Sequence, residues 1–128
     1  MTRVLIVDDD PHIVEMLTEA LTASGYEVAS ATHSLRAFDR AKEFGPDLIL
    51  MDLMMPYLDG VDQVELLSMD SALSGVPVIA ISANPRGLER RVQARHHAVV
   101  ARLEKPFTID QLLSTIERAI DERPLGAA

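Results

Sequence analysis

Cysteine is missing from this chain altogether. That excludes a disulfide framework and a thiolate metal site, and it suits a reducing compartment, so a cytoplasmic location is expected. Long apolar runs are missing too. Nothing approaches the roughly 20 consecutive apolar residues that a membrane-spanning helix needs. The opening "VLIV" (4–7) is too short for the core of a secretory signal, and acids follow it directly. No membrane insertion is expected. Positive charge is scarce: 12 Lys and Arg stand against 20 Asp and Glu, for a net charge of −8. That argues against a general nucleic-acid binder. Internal repeats, low-complexity tracts and a second domain are also absent from the pattern.

What is present looks like one ordinary globular domain. The 128 residues suffice to bury a core. We expect the domain to cover 1–122, with 123–128 as a tail or the start of a linker. The charge is unevenly spread. Residues 1–85 carry 4 basic and 14 acidic side chains, whereas 86–105 carry Arg86, Arg90, Arg91, Arg95, Arg102 and Lys105 against Glu89 and Glu104. That basic segment reads either as a solvated helix face or as a partner-facing surface.

Runs of Val, Ile and Leu alternate with helical patterns. "RVLIV" (3–7) reads as a strand buried on both faces. Asp10 then offers an N-cap and Pro11 a first-turn proline. Ile13, Val14, Leu17 and Leu21 follow at helical spacing, and "SG" at 24–25 ends the helix. Strands are expected over 26–30, 47–51, 77–82 and 99–103. Helices are expected over 33–44, with Leu35, Ala37, Phe38 and Ala41 inward, over 60–69 with Val61, Val64 and Leu67, and over 85–97. A last helix opens at Thr108 and carries Ile109, Leu112, Leu113, Ile116 and Ile120. Five strands alternating with five helices predict an α/β fold with a parallel sheet. Right-handed crossovers favour the flavodoxin-like doubly wound (βα)5 sandwich of order 2-1-3-4-5.

In such a sheet, ligands bind at the carboxyl ends of the strands, near the switch point. The first strand ends in Asp8, Asp9 and Asp10. The third ends in Asp52, the fourth in Ser82, and the fifth just before Lys105. Carboxylates with no His or Cys nearby suit a hard divalent cation such as Mg²⁺. Lys105 and Ser82 suit an anion. Together they describe a phosphoryl site, and a carboxylate can itself be the nucleophile.

Four segments resemble the receiver domain of two-component response regulators: "LIVDDDP", "LILMDLMMPYLDG", "VIAISA" and "EKPF". Their order and spacing at strand ends make the resemblance specific, and it covers nearly the whole chain. It implies that Asp52 accepts a phosphoryl group. It implies that Asp9 and Asp52 bind Mg²⁺ together with the Met54 backbone carbonyl, with Asp8 helping through a water. Ser82 would bond a phosphoryl oxygen and move inward on phosphorylation, Lys105 would pair with the phosphate, and the Lys105–Pro106 peptide would be cis. The donor would be a sensor histidine kinase or a phosphotransfer protein. The reader would be an output protein or an effector domain on a longer chain. The domain would catalyse its own phosphorylation and dephosphorylation without being a multiple-turnover enzyme.

The chain departs from the family at Arg102, where Tyr or Phe is usual. A guanidinium does not bury itself as an aromatic ring does, so the coupling to the surface of the fourth helix, fifth strand and last helix differs. Val100 and Ala101 lack the acid that supports a familiar family dimer, and the oligomeric state stays open. Met54 and Asn84 occupy positions that influence phosphoryl lifetime, and their types point to slow loss. Two other functions compete. A pseudo-receiver would bind partners without phosphorylation. A Mg²⁺-dependent phosphohydrolase would need a second acid near the nucleophile, where Met54 stands instead. The plain readings are a capping turn for Asp8 to Asp10, a surface position for His96 and His97, and core or loop packing for Met51, Met54, Met55 and Met69.

Overall fold

The computed structural model describes residues 1–53, 67, 69–82 and 99–121. It contains β1 (Arg3–Val7), α1 (Pro11–Ala23), β2 (Glu27–Ala31), α2 (Ser34–Phe44), β3 (Leu48–Asp52), β4 (Val78–Ser82), β5 (Val99–Glu104) and α3 (Ile109–Asp121). The expected helices over 60–69 and 85–97 lie outside the described residues, except that Leu67 and Met69 are helical. The expected tail and the Leu35 side chain lie outside them as well.

All strand pairs are parallel, in the order β2-β1-β3-β4-β5. This is the expected doubly wound arrangement. Burial follows position in the sheet. The central strands β3 and β4 are buried at every residue, and β1 at all but Arg3. The edge strands β2 and β5 alternate instead. A strand flanked by neighbours and covered on both faces must be apolar throughout, whereas an edge strand meets water. Alternation within each strand sorts the core into two layers. Leu5, Val7, Ile49, Met51, Val78 and Ala80 pack toward Ala37 and Ala41 of α2. Val4, Ile6, Leu48, Leu50, Ile79 and Ile81 pack toward Leu17 and Leu21 of α1 and Leu112 and Ile116 of α3. Each fully buried Leu or Ile contributes about 1.5–3 kcal/mol.

The helix ends obey local chemistry. Asp10 caps α1, its carboxylate accepting from the His12 amide at 2.9 Å. Gly25 and Gly45, with φ of 94° and 66°, follow α1 and α2 in the left-handed region that glycine enters without strain. Thr108 and Gln111 form a reciprocal pair before α3. The Gln111 amide donates to the Thr108 hydroxyl at 3.0 Å, and the Thr108 amide donates to the Gln111 side chain at 2.8 Å. Strand limits differ from expectation by one residue. The Tyr26 amide donates back to Leu21 and belongs to the turn after α1. Pro77 has no N–H to give, so β4 begins at Val78. Of the methionines, Met51 lies in the core while Met69 is exposed.

Candidate functional site

The sheet register builds the site. Val7 pairs with Met51, so the next step along both strands sets Asp8 beside Asp52. Both follow the alternation of Val4 and Ile6, and of Leu48 and Leu50, toward the α1 and α3 layer. Ile81 pairs with Asp52, which places Ser82 one step further along β4. Ser82 in turn pairs with Glu104, and its carbonyl accepts from the Lys105 amide at 2.9 Å. Four strand ends thus converge on one edge of the sheet. The Lys105–Pro106 peptide after β5 is cis, as the resemblance implied.

Asp8 is 1% exposed, and Asp52 and Ser82 are 4% exposed each. Lys105 reaches in from the rim. Its ammonium lies 3.2 Å from Asp8 Oδ2 and 3.4 Å from Asp52 Oδ2. Asp8 Oδ1 accepts from the Asp10 amide at 2.9 Å. Burial pushes the Asp8 carboxyl above the usual carboxylate range. The Asp10 amide opposes that rise, Asp52 adds to it, and Lys105 opposes it. For Lys105, burial works against the charged form, but Asp52 and Asp8 outweigh it and hold the ammonium above its ordinary value. Among the described residues, one lysine spans two acids.

One carboxylate oxygen from each of Asp8, Asp9 and Asp52 lies within 4.8 Å of the others. Oxygen donors this close, with no nitrogen or sulfur among them, fit a hard divalent cation that keeps part of its water shell. Burial gives the fit a second basis, because a like-charged pair of nearly inaccessible carboxylates is costly without a compensating cation. The structure thus brings Asp8, Asp9, Asp52 and Lys105 together, with Ser82 on the adjacent strand end. Met54 lies outside the described residues. Arg102 stands apart, exposed on β5 and paired in register with Ala80. Sequence reasoning missed the Asp10 amide as a partner of Asp8, because a backbone donor leaves no signature in residue types.

The comparisons agree with this geometry. The family model described as the response regulator receiver domain matches residues 4–117. The polar-differentiation response regulator DivK of Brucella anthropi is 35% identical, over 89% of this chain and 92% of its own length. The DNA-binding dual master transcriptional regulator RpaA of Synechocystis is 31% identical over 99% of this chain, which spans only 54% of that protein. Among solved structures, the chemotaxis protein CheY4 of Vibrio cholerae superposes with a TM-score of 0.84 at 30% identity, covering 93% of this chain and 98% of that one. The receiver domain of the sensor histidine kinase PA1611 of Pseudomonas aeruginosa, which has a magnesium ion coordinated in its active-site cleft, gives 0.83 at 28% identity, covering 94% and 98%. No helix among the described residues is long and apolar enough to cross a membrane. This chain belongs to the response regulator receiver domain family.

Proposed function

We propose that residues 1–122 form a phosphorylation-dependent switch that takes a phosphoryl group onto Asp52 from the phosphohistidine of a sensor kinase or phosphotransfer protein. The observation that carries this reading is the pair of buried acids, Asp8 and Asp52, spanned by Lys105 at the mouth of the sheet. An Asp52 oxygen attacks the phosphorus. The P–N bond of the donor breaks, and the imidazole leaves with the electron pair and takes a proton. Asp9 and Asp52, with Asp8 through a water, would hold Mg²⁺. Bound there, Mg²⁺ supplies charge neutralisation for the carboxylates and the incoming phosphoryl oxygens.

Lys105 is already placed on Asp52, so it can follow charge from the carboxylate to a phosphoryl oxygen. Ser82 offers a hydroxyl at the neighbouring strand end. The added charge of about −1.5 to −2 draws Lys105 and Ser82 toward it and shifts the surface of β5 and α3, which an output protein or effector domain reads. Turnover is limited to the domain's own phosphorylation and its reversal.

A small phosphoramidate donor with Mg²⁺ tests the chemistry. ³¹P NMR should show a protein-bound acyl phosphate that alkaline hydroxylamine removes. A signal resistant to hydroxylamine, or one that survives Asp52→Asn, would refute the assignment.

A further inference from the structure

Asp10 serves a buried acid and a helix at once. Its backbone amide donates to Asp8 Oδ1 at 2.9 Å, while its own carboxylate accepts from the His12 amide at 2.9 Å. Its carbonyl accepts from the Val14 amide at 3.1 Å, which opens the backbone ladder of α1. Local chemistry builds this joint. Pro11 pushes the residue before it into extended backbone, and Asp10 sits there, with φ of −90° and ψ of 109°. Pro11 brings no N–H, so the His12 amide is the first that α1 presents to a cap.

The joint fixes the direction of the Asp8 carboxylate. The Asp8 backbone amide is tied to the Ala31 carbonyl of β2 at 3.2 Å. The side chain is held from two sides, Oδ1 by the Asp10 amide and Oδ2 by the Lys105 ammonium. Lys105 is a flexible side chain that also serves Asp52. The Asp10 amide is backbone, and its direction is set by the dihedral angles of Asp9 and Asp10. Asp8 is 1% exposed, so bulk water does not replace an amide that turns away from Oδ1.

We propose that the Asp10 side chain is a positioning residue for the metal centre. By capping α1 it holds its own amide on Asp8, and so keeps the oxygens of Asp8 and Asp9 where a divalent cation meets them. The inference rests on the Mg²⁺ reading of the acids, whose oxygens lie within 4.8 Å of one another. Asp10 acts through the hydrogen bond to His12 and not through its charge. Asn and Ser accept the same bond, and Ala does not.

The test is calorimetric titration of the unphosphorylated full chain with Mg²⁺, for the parent, Asp10→Ala, Asp10→Asn, Asp10→Ser and Thr108→Ala. Thr108→Ala removes the cap of α3 and serves as a destabilised control with the Asp10 joint intact. Asp10→Ala should bind Mg²⁺ about fivefold more weakly, the factor that a cap of ordinary strength carries. Asn, Ser and the Thr108 control should stay within about twofold of the parent. In labelling by acetyl phosphate, Asp10→Ala should need more Mg²⁺ for half-maximal rate by the same factor, yet reach the parent's rate at saturation. Parent affinity in Asp10→Ala would overturn the proposal. So would Asn binding as weakly as Ala, which would mark a charge effect, or Thr108→Ala binding as weakly, which would mark general loss of stability. No Mg²⁺ binding by the parent would overturn it together with the metal role of the acids. A parent that binds Mg²⁺ but takes no phosphoryl group would sink the receiver function alone. A labelled parent whose Asp10→Ala variant keeps full affinity would sink this inference alone.

Discussion

The ammonium of Lys105 lies 3.2 Å from the carboxylate of Asp8, a residue 97 positions away in the chain. In the sheet β3 and β4 stand between the strands that end at these two residues, and the contact closes the mouth of the sheet over two nearly inaccessible acids. One ammonium thus serves two carboxylates.

Replacing Asp8 by Asn should stabilise the chain in the absence of divalent cations. Burial raises the folded-state pKa of Asp8 above its ordinary 3.8. A carboxyl raised in this way holds its proton more tightly when folded, so stability falls as pH climbs from about 3.8 through the folded value. The variant should therefore melt several degrees higher than the parent at pH 7.5 with EDTA, at about 4 °C per kcal/mol for this size. The two should converge near pH 3. Asn keeps an oxygen for the Asp10 amide, so that bond is not lost. Thermal melts across pH read the outcome.

Lys105→Met should act in the opposite direction. The two carboxylates hold the ammonium above its ordinary 10.5. A cation raised in this way contributes stability that is complete below about 10.5 and lost as pH rises through the folded value. The variant should therefore be less stable than the parent at neutral pH, and the gap should close at alkaline pH. Combining it with Asp8→Asn should recover part of the loss, because one uncompensated charge is removed.

Divalent cations should stabilise the fold. A ligand bound only by the folded state at a hundred times its dissociation constant adds about 2.7 kcal/mol. Melting with a Mg²⁺ series should show a rise in Tm that EDTA reverses. Asp9→Asn and Asp52→Asn should each blunt it. Asp10→Asn should not, because the Asp10 side chain is spent on the His12 amide.

The helix caps offer a check independent of the site. Asp10→Ala and Thr108→Ala should each cost about 0.5–2 kcal/mol in urea unfolding. Thr108 and Gln111 exchange two hydrogen bonds, so Thr108→Ala combined with Gln111→Ala should lose less than the sum of those two single variants.

Much of this architecture is legible in the residues themselves. The central strands advertise themselves because a residue between two neighbours and two helical layers can hardly be polar, which is why "VLIV", "LILM" and "VIAI" stand out. Asp10, Pro11 and Thr108 mark helix starts through the orphan amides they serve or spare. The site was legible because four strand ends carry chemistry that no core would choose. What stayed hidden depends on tertiary register. Nothing in the residue types announces that Lys105 spans Asp8 and Asp52, that the Asp10 amide turns back onto Asp8, or that β5 carries an extra residue near Val100 where its pairing with β4 shifts.

The central claim is that Asp52 is the phosphoryl acceptor of a Mg²⁺-dependent switch. Intact mass after incubation with acetyl phosphate and Mg²⁺, for the parent chain and for Asp52→Asn, tests it most directly. The expected result is one added phosphoryl group on the parent alone, lost when EDTA is present during the reaction. An unmodified parent under conditions that label a working receiver, or an adduct that persists in Asp52→Asn, would contradict it.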